Sequence, residues 1–539
     1  MACLRALEPT LPAVAIALVL AAGCATIPAT KARKESAAVV FHHGRVYGRP
    51  GATAVLVVGS RIEKVGGEDL LAWTAAESVD VGGGLIVPGF HDGHVHLMSG
   101  GLSLGEARLD GATTLEETLQ RIGAWAKEHP TSAWVKGRGF SYDIVPKGTL
   151  PTAQMLDRAV RDRPAVIEAY DGHTSWLNTE ALARARITRE TRDPADGEIA
   201  RDAAGDPAGA LLEGASALLE GVVPEPSRDE KRAALLAAAK ACARLGITTV
   251  DAIEEAESWE LLLELGSELP IRVNVILPIE GDLSRYAEMR AQGTDRVQLI
   301  GVKGFVDGVV ESKTAFMLSP YEGSSERGRA LIPPERLYAL VAEAKSKGLL
   351  VALHSIGDAA VRLSLDALER AQAPGRVEHI EVLDPADIPR FRKIGAIASM
   401  QPYHAVPSEP DPDAGAWSEN LGADRRRMSF AWRALLDGGA ALAFGSDWPV
   451  YTQDPLHGLA VAVTRQNEHA LPVGGWNGAQ RITIEEAIRA YTDVRTIAEG
   501  QPADLVVLPP AIQLDAPATL WTAHPTLVVA GGKIVHAQP

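Results

Sequence analysis

Eight short apolar runs, separated by helical stretches, constrain the fold of this chain more than any other feature. They span residues 85–94, 246–251, 271–277, 298–303, 349–354, 376–380, 396–401 and 441–447. Apolar strands that alternate with helices indicate a parallel sheet, either closed as a barrel or open and doubly wound. Eight such strands are the number found in a (β/α)8 TIM-like barrel, and this is the fold that we expect.

Further β-type runs lie at both ends of the chain, near residues 39–58 and 504–535. They predict a small β-sandwich domain built from both termini, with one part at 38–84 and the other at 498–539. The barrel then spans 85–497. Residues from about 100 to about 232 separate its first two strands, which is far more than a crossover needs. We therefore expect a large insertion after barrel strand 1, lying over the barrel mouth.

The first 24 residues are typical of a bacterial export signal. Arg5 precedes an apolar run over residues 11–22 that is too short to span a bilayer easily. Small residues stand directly before Cys24, as in signal peptides whose cysteine becomes lipidated. We expect export to the cell envelope, with a lipid anchor at Cys24 in the periplasm or outer membrane and a polar tether over 25–37. Ordinary secretion, with cleavage after a small residue, is the alternative.

Five of the eight strands end in side chains suited to metal binding or acid–base chemistry. His94 and His96 lie two residues apart, so both point to the same side of their strand. The C-terminal ends of barrel strands meet at one rim, where barrel enzymes place their chemistry. Neutral imidazoles suit zinc or a similar divalent ion. The candidate metal ligands are His94, His96, Lys303, His354, His379 and Asp447.

This ligand set, with the residues around it, resembles the amidohydrolase superfamily and, within it, amidohydrolase family 3, the YtcJ-like metal-dependent hydrolases. The matching segments are 137–140, 171–178, 302–308, 313–315, 354–360, 376–379, 401–404 and 445–449. The resemblance covers essentially the whole mature chain. Gly93 and Ser355 each stand where the family usually has alanine, and the turn at 498–504 is shorter than usual.

The resemblance implies a role for a lysine that, if protonated, would repel a metal. Lys303 would react with carbon dioxide to form a carbamate, whose two oxygens bridge two divalent ions, with zinc as the expected metal. That reaction needs a neutral amine, which burial favours by lowering the pKa of a lysine. The alternative is an unmodified Lys303 that pairs with Asp307 or Asp447.

Two catalytic candidates follow from the same resemblance. Asp447 would take a proton from the attacking water and pass it to the leaving nitrogen. Taken without the other ligands, Asp447 would instead be read as a helix cap before Trp448. His404, just beyond the seventh strand, could touch the substrate or polarise its carbonyl, and a purely structural role stays open.

The insertion supplies candidate substrate-binding residues. His173, Trp176 and Asn178 are expected to line the pocket from above. The alternative for Trp176 is a place in the core of the insertion, where tryptophan is common.

The expected function is hydrolysis of a C–N bond in an amide, carbamate or cyclic amide. Ester or lactone hydrolysis at the same centre is one alternative, and a non-catalytic, ligand-binding surface lipoprotein is another. The partner is then a small-molecule substrate, and a homodimer is compatible with the sequence. The formal net charge of −16 argues against nucleic acid and against an anionic membrane surface. Contact with a membrane is expected only through the lipid anchor.

Overall fold

The computed structural model describes residues 38–73, 76–109, 111–146, 149–170, 172, 174–194, 197–406, 415–492 and 494–538. The expected signal peptide and tether lie outside these residues, and Cys24 lies outside them too. His173 is likewise outside the described residues. Within the described ranges, no helix is both long and apolar enough to cross a membrane.

An eight-stranded parallel sheet forms the centre of the fold. Neighbours in the sheet follow the order of the chain, and an isolated bridge between Val95 and Trp448 joins the first strand to the segment after the last. This contact brings the sheet round into a barrel, so the predicted (β/α)8 fold is confirmed. The strands are β1 (Phe90–Val95), β2 (Ile247–Ile253), β3 (Arg272–Pro278), β4 (Val297–Phe305), β5 (Leu350–Ser355), β6 (Gly375–His379), β7 (Ile397–Met400) and β8 (Ala441–Phe444).

Amphipathic helices connect the barrel strands and share one large apolar core with them. The helix before β2 starts with a capping box, in which Ser227 and Glu230 each bond the other's backbone N–H. The helices span Leu97–Ser103, Arg228–Arg244, Ala256–Leu265, Leu283–Arg290, Pro334–Ser346, Asp358–Ala371, Ile388–Ile394, Ala416–Arg426, Trp432–Asp437, Pro455–Thr464 and Ile484–Thr492.

The run at 85–94, predicted as one barrel strand, is two strands in different sheets. Leu85–Pro88 pairs with Leu505–Leu508 outside the barrel, and β1 starts only at Phe90. The chain changes sheets at Gly89, where an added Cβ would overlap the side chain of Thr248. Both strands are almost entirely buried, so periodicity gave no sign of the boundary.

Two smaller sheets lie outside the barrel and share its core through residues such as Val55, Val57 and Ile86. One contains strands from both ends of the described chain. Its order is Arg45–Val46, Leu85–Pro88, Leu505–Leu508, Leu527–Ala530 and Lys533–Ala537. The other has the order Arg61–Gly66, Ala54–Val58, Ala38–His42 and Ala76–Asp80.

The segment between β1 and β2 forms a sheet of its own. Alternate residues of its strands face two separate apolar clusters, with Ile167 and Trp176 in one and Val166 and Leu177 in the other. In sheet order the strands are Gly197–Arg201, Pro207–Glu213, Thr174–Leu177, Ala165–Ala169, Val135–Phe140 and Ala107–Arg108. The helices of this segment are Leu115–Glu128, Ala153–Leu156 and Thr179–Arg184.

Candidate metal centre

Three buried side chains from distant parts of the sequence converge at the C-terminal rim of the barrel. His94 lies in β1, His379 ends β6, and Asp447 follows β8. One possible ligand atom from each lies within 4.8 Å of the other two. This arrangement of two imidazoles and a carboxylate could hold one divalent ion.

The other two predicted histidine ligands stand beside this cluster. His96 Nε2 lies 3.1 Å from Asp447 Oδ1. The ring centroid of His354 is 4.5 Å from that of His379, and its Nε2 is 3.3 Å from the carbonyl oxygen of Gly308. The structure therefore brings all four predicted histidines and Asp447 into one connected group.

Glu378 determines which nitrogen of His94 faces the cluster. Its Oε2 lies 2.7 Å from His94 Nδ1, while His94 Nε2 is directed toward Asp447 Oδ1 at 3.4 Å. His94 is fully buried, and within the described residues its Nε2 makes no hydrogen bond. A buried imidazole nitrogen without a partner is costly unless a ligand completes it. The donor set therefore fits a metal ion.

Unusual backbone conformations hold two members of the cluster. His379 has a φ of 71° and Asp447 a φ of 57°, in the left-handed region that residues other than glycine seldom adopt. The Asp447 N–H donates to the carbonyl oxygen of His94 at 2.7 Å, and His379 Nδ1 lies 2.9 Å from Gln401 Oε1. Strain of this kind is characteristic of functional sites, where the surroundings hold it in place.

The charges within the cluster suit a cation. Although burial opposes ionisation of Asp447, the adjacent His94 and His96 hold the pKa of its carboxyl well below the usual range. Burial and the nearby Lys303 lower the pKa of His354 to about 3. Burial, reinforced by His354 and His94, also holds the pKa of His379 well below its usual value. The ionised carboxylate of Asp447 and the neutral imidazoles of His354 and His379 are in the protonation state that metal binding requires.

Lys303 lies near the end of β4, only 3% exposed. Burial lowers its pKa to about 8, and its Nζ sits 4.7 Å from the centre of the Phe305 ring. In the described chain this Nζ has no hydrogen-bond partner. The carboxylate of Asp307 is instead occupied by backbone N–H groups, two of them from Ile356 and Gly357. The structure therefore shows no pairing of Lys303 with Asp307.

His404 lies in a short 3-10 helix, Pro402–Ala405, directly after β7. Its ring stacks at 6.5 Å on the ring of His379 and lies 4.7 Å from that of Tyr451. Burial lowers its pKa to about 4, so the imidazole is neutral at neutral pH. This position puts His404 next to the cluster, where it can reach a bound molecule.

Trp176 and Asn178, which were predicted to line the pocket, make structural contacts in the inserted segment. Trp176 is fully buried in the core of the inserted sheet, and its Nε1 donates to the carbonyl oxygen of Thr152 at 2.8 Å. Asn178 caps the helix Thr179–Arg184. Its amide makes four hydrogen bonds of 2.9 Å to main-chain atoms. The strand Thr174–Leu177 lies inside its sheet, and Trp176 packs into the apolar cluster that contains Phe140 and Ile167.

A chain of buried charges behind His94 was not predicted from the sequence. Arg376 Nε lies 2.5 Å from Glu378 Oε1, and Arg376 Nη1 lies 2.6 Å from Asp251 Oδ2. Asp251 in turn contacts His91 Nε2 at 2.8 Å. The available signal was the presence of charged residues inside apolar barrel strands, since such residues are rarely buried without a partner.

An α/β barrel with histidines and an aspartate at its C-terminal rim defines a class of metal-binding barrel proteins. The chain belongs to the amidohydrolase family, whose model matches residues 77–536. This confirms the family resemblance seen in the sequence.

Individual relatives agree with this assignment. The chain is 31% identical over 502 residues to Protein LONG AFTER FAR-RED 3 of Arabidopsis thaliana, covering 85% of this chain and 84% of that protein. It is 28% identical over 502 residues to N-substituted formamide deformylase of Arthrobacter pascens, covering 85% and 90%. An uncharacterised metal-dependent hydrolase from Pyrococcus horikoshii shares the fold, with a TM-score of 0.73, 23% identity and coverage of 89% and 99%.

Proposed function

We propose that this protein is a metal-dependent hydrolase that cleaves the C–N bond of an amide, carbamate or cyclic amide. The observation that carries the proposal is the buried cluster of His94, His379 and ionised Asp447, in which His94 Nε2 lacks a hydrogen-bond partner among the described residues. The name of the relative from Arthrobacter pascens, N-substituted formamide deformylase, supports an amide as the substrate.

His94, His96, His379 and Asp447 would hold one ion, and His354 and Lys303 would complete a second position. A divalent ion such as zinc supplies a water of lowered pKa and polarises the substrate oxygen. Asp447, ionised and next to His96, accepts a proton at its carboxylate and returns it to the leaving nitrogen. In the overall reaction the C–N bond breaks, a C–O bond forms from water, and the amine leaves with the proton.

His404 and Lys303 have supporting roles in this proposal. A neutral His404 is suited to donate a hydrogen bond to the substrate carbonyl. The buried Nζ of Lys303, with its pKa lowered to about 8, is suited to attack carbon dioxide. An N–C bond would form, the amine proton would be released, and Lys303 as the carbamate would be one of the residues that hold the ions.

Metal analysis combined with substrate profiling tests the proposal. Purified mature protein should contain about one to two divalent ions per chain, as the ligand set supports. Chelation should abolish hydrolysis of an amide library, and zinc, manganese or cobalt should restore it. An ester and lactone library, assayed in parallel, distinguishes the preferred bond. Full activity of metal-free protein would show the proposal to be wrong.

We also propose that the protein is exported and lipid-anchored through Cys24, on the strength of the small residues and the apolar run before it. Cys24→Ser should move the protein from the membrane fraction to the soluble fraction with unchanged activity. If the wild-type protein is already soluble in its native host, the lipid anchor is wrong and the protein is secreted in the ordinary way.

A further inference from the structure

A cavity of about 300 Å³ opens beside the metal centre, at the C-terminal ends of β2, β3 and β4. His96 and Lys303 form part of its wall, so the cavity is continuous with the cluster. Apolar side chains, Met98, Ile279 and Phe305 among them, form another part. At roughly 30 Å³ per water-sized group, the space holds about ten such groups. A substrate substituent of that size could lie here while the scissile bond lies at the cluster.

Three carboxyl groups also line this cavity, those of Glu254, Glu255 and Glu280. Glu254 is buried and accepts the N–H of Met98 at 2.9 Å, and burial raises its pKa to about 7. Glu255 and Glu280 are exposed. The carboxylates of the cavity wall that are open to solvent are therefore those of Glu255 and Glu280.

Neither Glu255 nor Glu280 takes part in an ion pair within the described part of the chain. Glu255 directly precedes the helix Ala256–Leu265 and does not cap it with its side chain. The glutamates on that helix are each paired: Glu257 with Lys231, Glu260 with Arg285 and Glu264 with Arg228. Among the glutamates on and next to this helix, the one without an ion pair, Glu255, is thus the one that lines the cavity.

Lys303 lines the buried end of the cavity. Its Nζ makes no hydrogen bond to any described residue, so this end of the cavity also contains a polar atom that the fold leaves without a partner. Phe305, 47% exposed, presents an aromatic ring toward the same space. The positive charge of a metal ion at the cluster would act mainly at the inner end of the cavity, and the carboxylate of Asp447 would offset part of that charge. The solvent end of the cavity keeps the negative charges of Glu255 and Glu280.

We infer that this cavity is a substrate subsite for a cationic substituent, an alkylammonium or quaternary ammonium group on a short apolar chain. The inference rests on the proposed function, because it assigns the substrate class of the same centre. The apolar wall, which includes Phe305, accommodates the chain, and Glu255 and Glu280 supply the opposite charge. A carboxylate of equal size would be repelled by the same two residues.

Calorimetric binding to the metal-loaded protein tests this inference with two compounds of the same shape. Choline and 3,3-dimethylbutan-1-ol differ in the charge of one central atom, and a quaternary nitrogen cannot coordinate a metal. Choline should bind about tenfold more tightly, which corresponds to about 1.4 kcal/mol. In the double variant Glu255→Gln/Glu280→Gln the two compounds should bind within about threefold of each other, since the charge difference no longer matters.

A matched control removes two other negative charges. Glu335→Gln/Glu343→Gln changes two exposed glutamates of the helix Pro334–Ser346 and should leave the preference for choline intact. Equal binding of both compounds to wild-type protein, or a preference that survives in Glu255→Gln/Glu280→Gln, would overturn the inference. The measurement needs no turnover. Preference for choline in a protein that hydrolyses no amide would contradict the proposed function and leave the subsite standing.

Discussion

Asn178 in the inserted sheet and His94 at the barrel rim are both fully buried polar residues, yet their hydrogen bonding is opposite. The amide of Asn178 makes four hydrogen bonds to the main chain. His94 Nε2 makes none within the described residues, and Lys303 Nζ shares this state. The fold itself satisfies the buried amide of Asn178, whereas a bound ligand could complete His94 Nε2 and Lys303 Nζ at the rim. The two residues are equally buried, and what distinguishes them is the unmet hydrogen-bonding capacity of His94.

The rim side of this comparison is tested most strongly by Asp447→Asn. Asparagine tolerates the left-handed backbone found at this position but cannot take up a proton at neutral pH. We expect kcat to fall by about a hundredfold or more, with part of the metal retained. Steady-state kinetics and metal analysis measure both, with the surface variant Asp437→Asn as the control. Near-normal turnover would show that another residue acts as the base, with His404 as the first candidate.

Lys303→Ala tests the second group at the rim that lacks a hydrogen-bond partner among the described residues. If Lys303 carries a bridging carbamate, the variant should lose at least one metal ion and most of its activity. Acetate or propionate should restore part of both, because a short carboxylate supplies the same two oxygens. Lys303→Arg should not be active, since a guanidinium stays charged and forms no carbamate. Mass analysis of the holo-protein that finds an unmodified amine beside a single metal ion would contradict the two-ion arrangement.

Glu378→Gln sharpens the comparison, because Glu378 satisfies one nitrogen of His94 and leaves the other for a ligand. The substitution removes the carboxylate that orients His94 and balances Arg376. Metal affinity should weaken by about 10- to 100-fold, the usual effect of losing such a partner of a metal-binding histidine. Competition with a chelator measures the dissociation constant. An unchanged constant would show that His94 is oriented by its backbone alone.

Asn178→Ala tests the structural side and should have the smallest effect on catalysis. Loss of its hydrogen bonds leaves buried main-chain groups without partners and should destabilise the protein by about 1–3 kcal/mol. The thermal midpoint should therefore fall, while kcat/KM of the folded protein stays within about twofold of wild type. A tenfold fall in kcat/KM at unchanged stability would instead indicate that Asn178 contacts the substrate.

The sequence predicted the barrel and the rim because both depend on regular rules. Seven barrel strands begin within one residue of their predicted starts, and the rim histidines follow from where parallel strands end. The change of sheet at Gly89 was not predictable, because two buried strands in succession look like one. The left-handed conformations of His379 and Asp447 have no signature in the residues themselves. The sequence left Trp176 between a pocket position and a core position, because a motif shared with a family does not reveal which way a side chain points.

The five-stranded sheet that joins both ends of the described chain has a consequence for how the protein is made. Leu85–Pro88 is synthesised early, but its partner Leu505–Leu508 follows roughly 420 residues later, which at about 5–20 residues per second is on the order of half a minute or more. During that interval an apolar strand edge is available to other chains, and such edges promote aggregation. Yield in heterologous expression should therefore depend on chaperone supply and on the rate at which the C-terminal residues emerge.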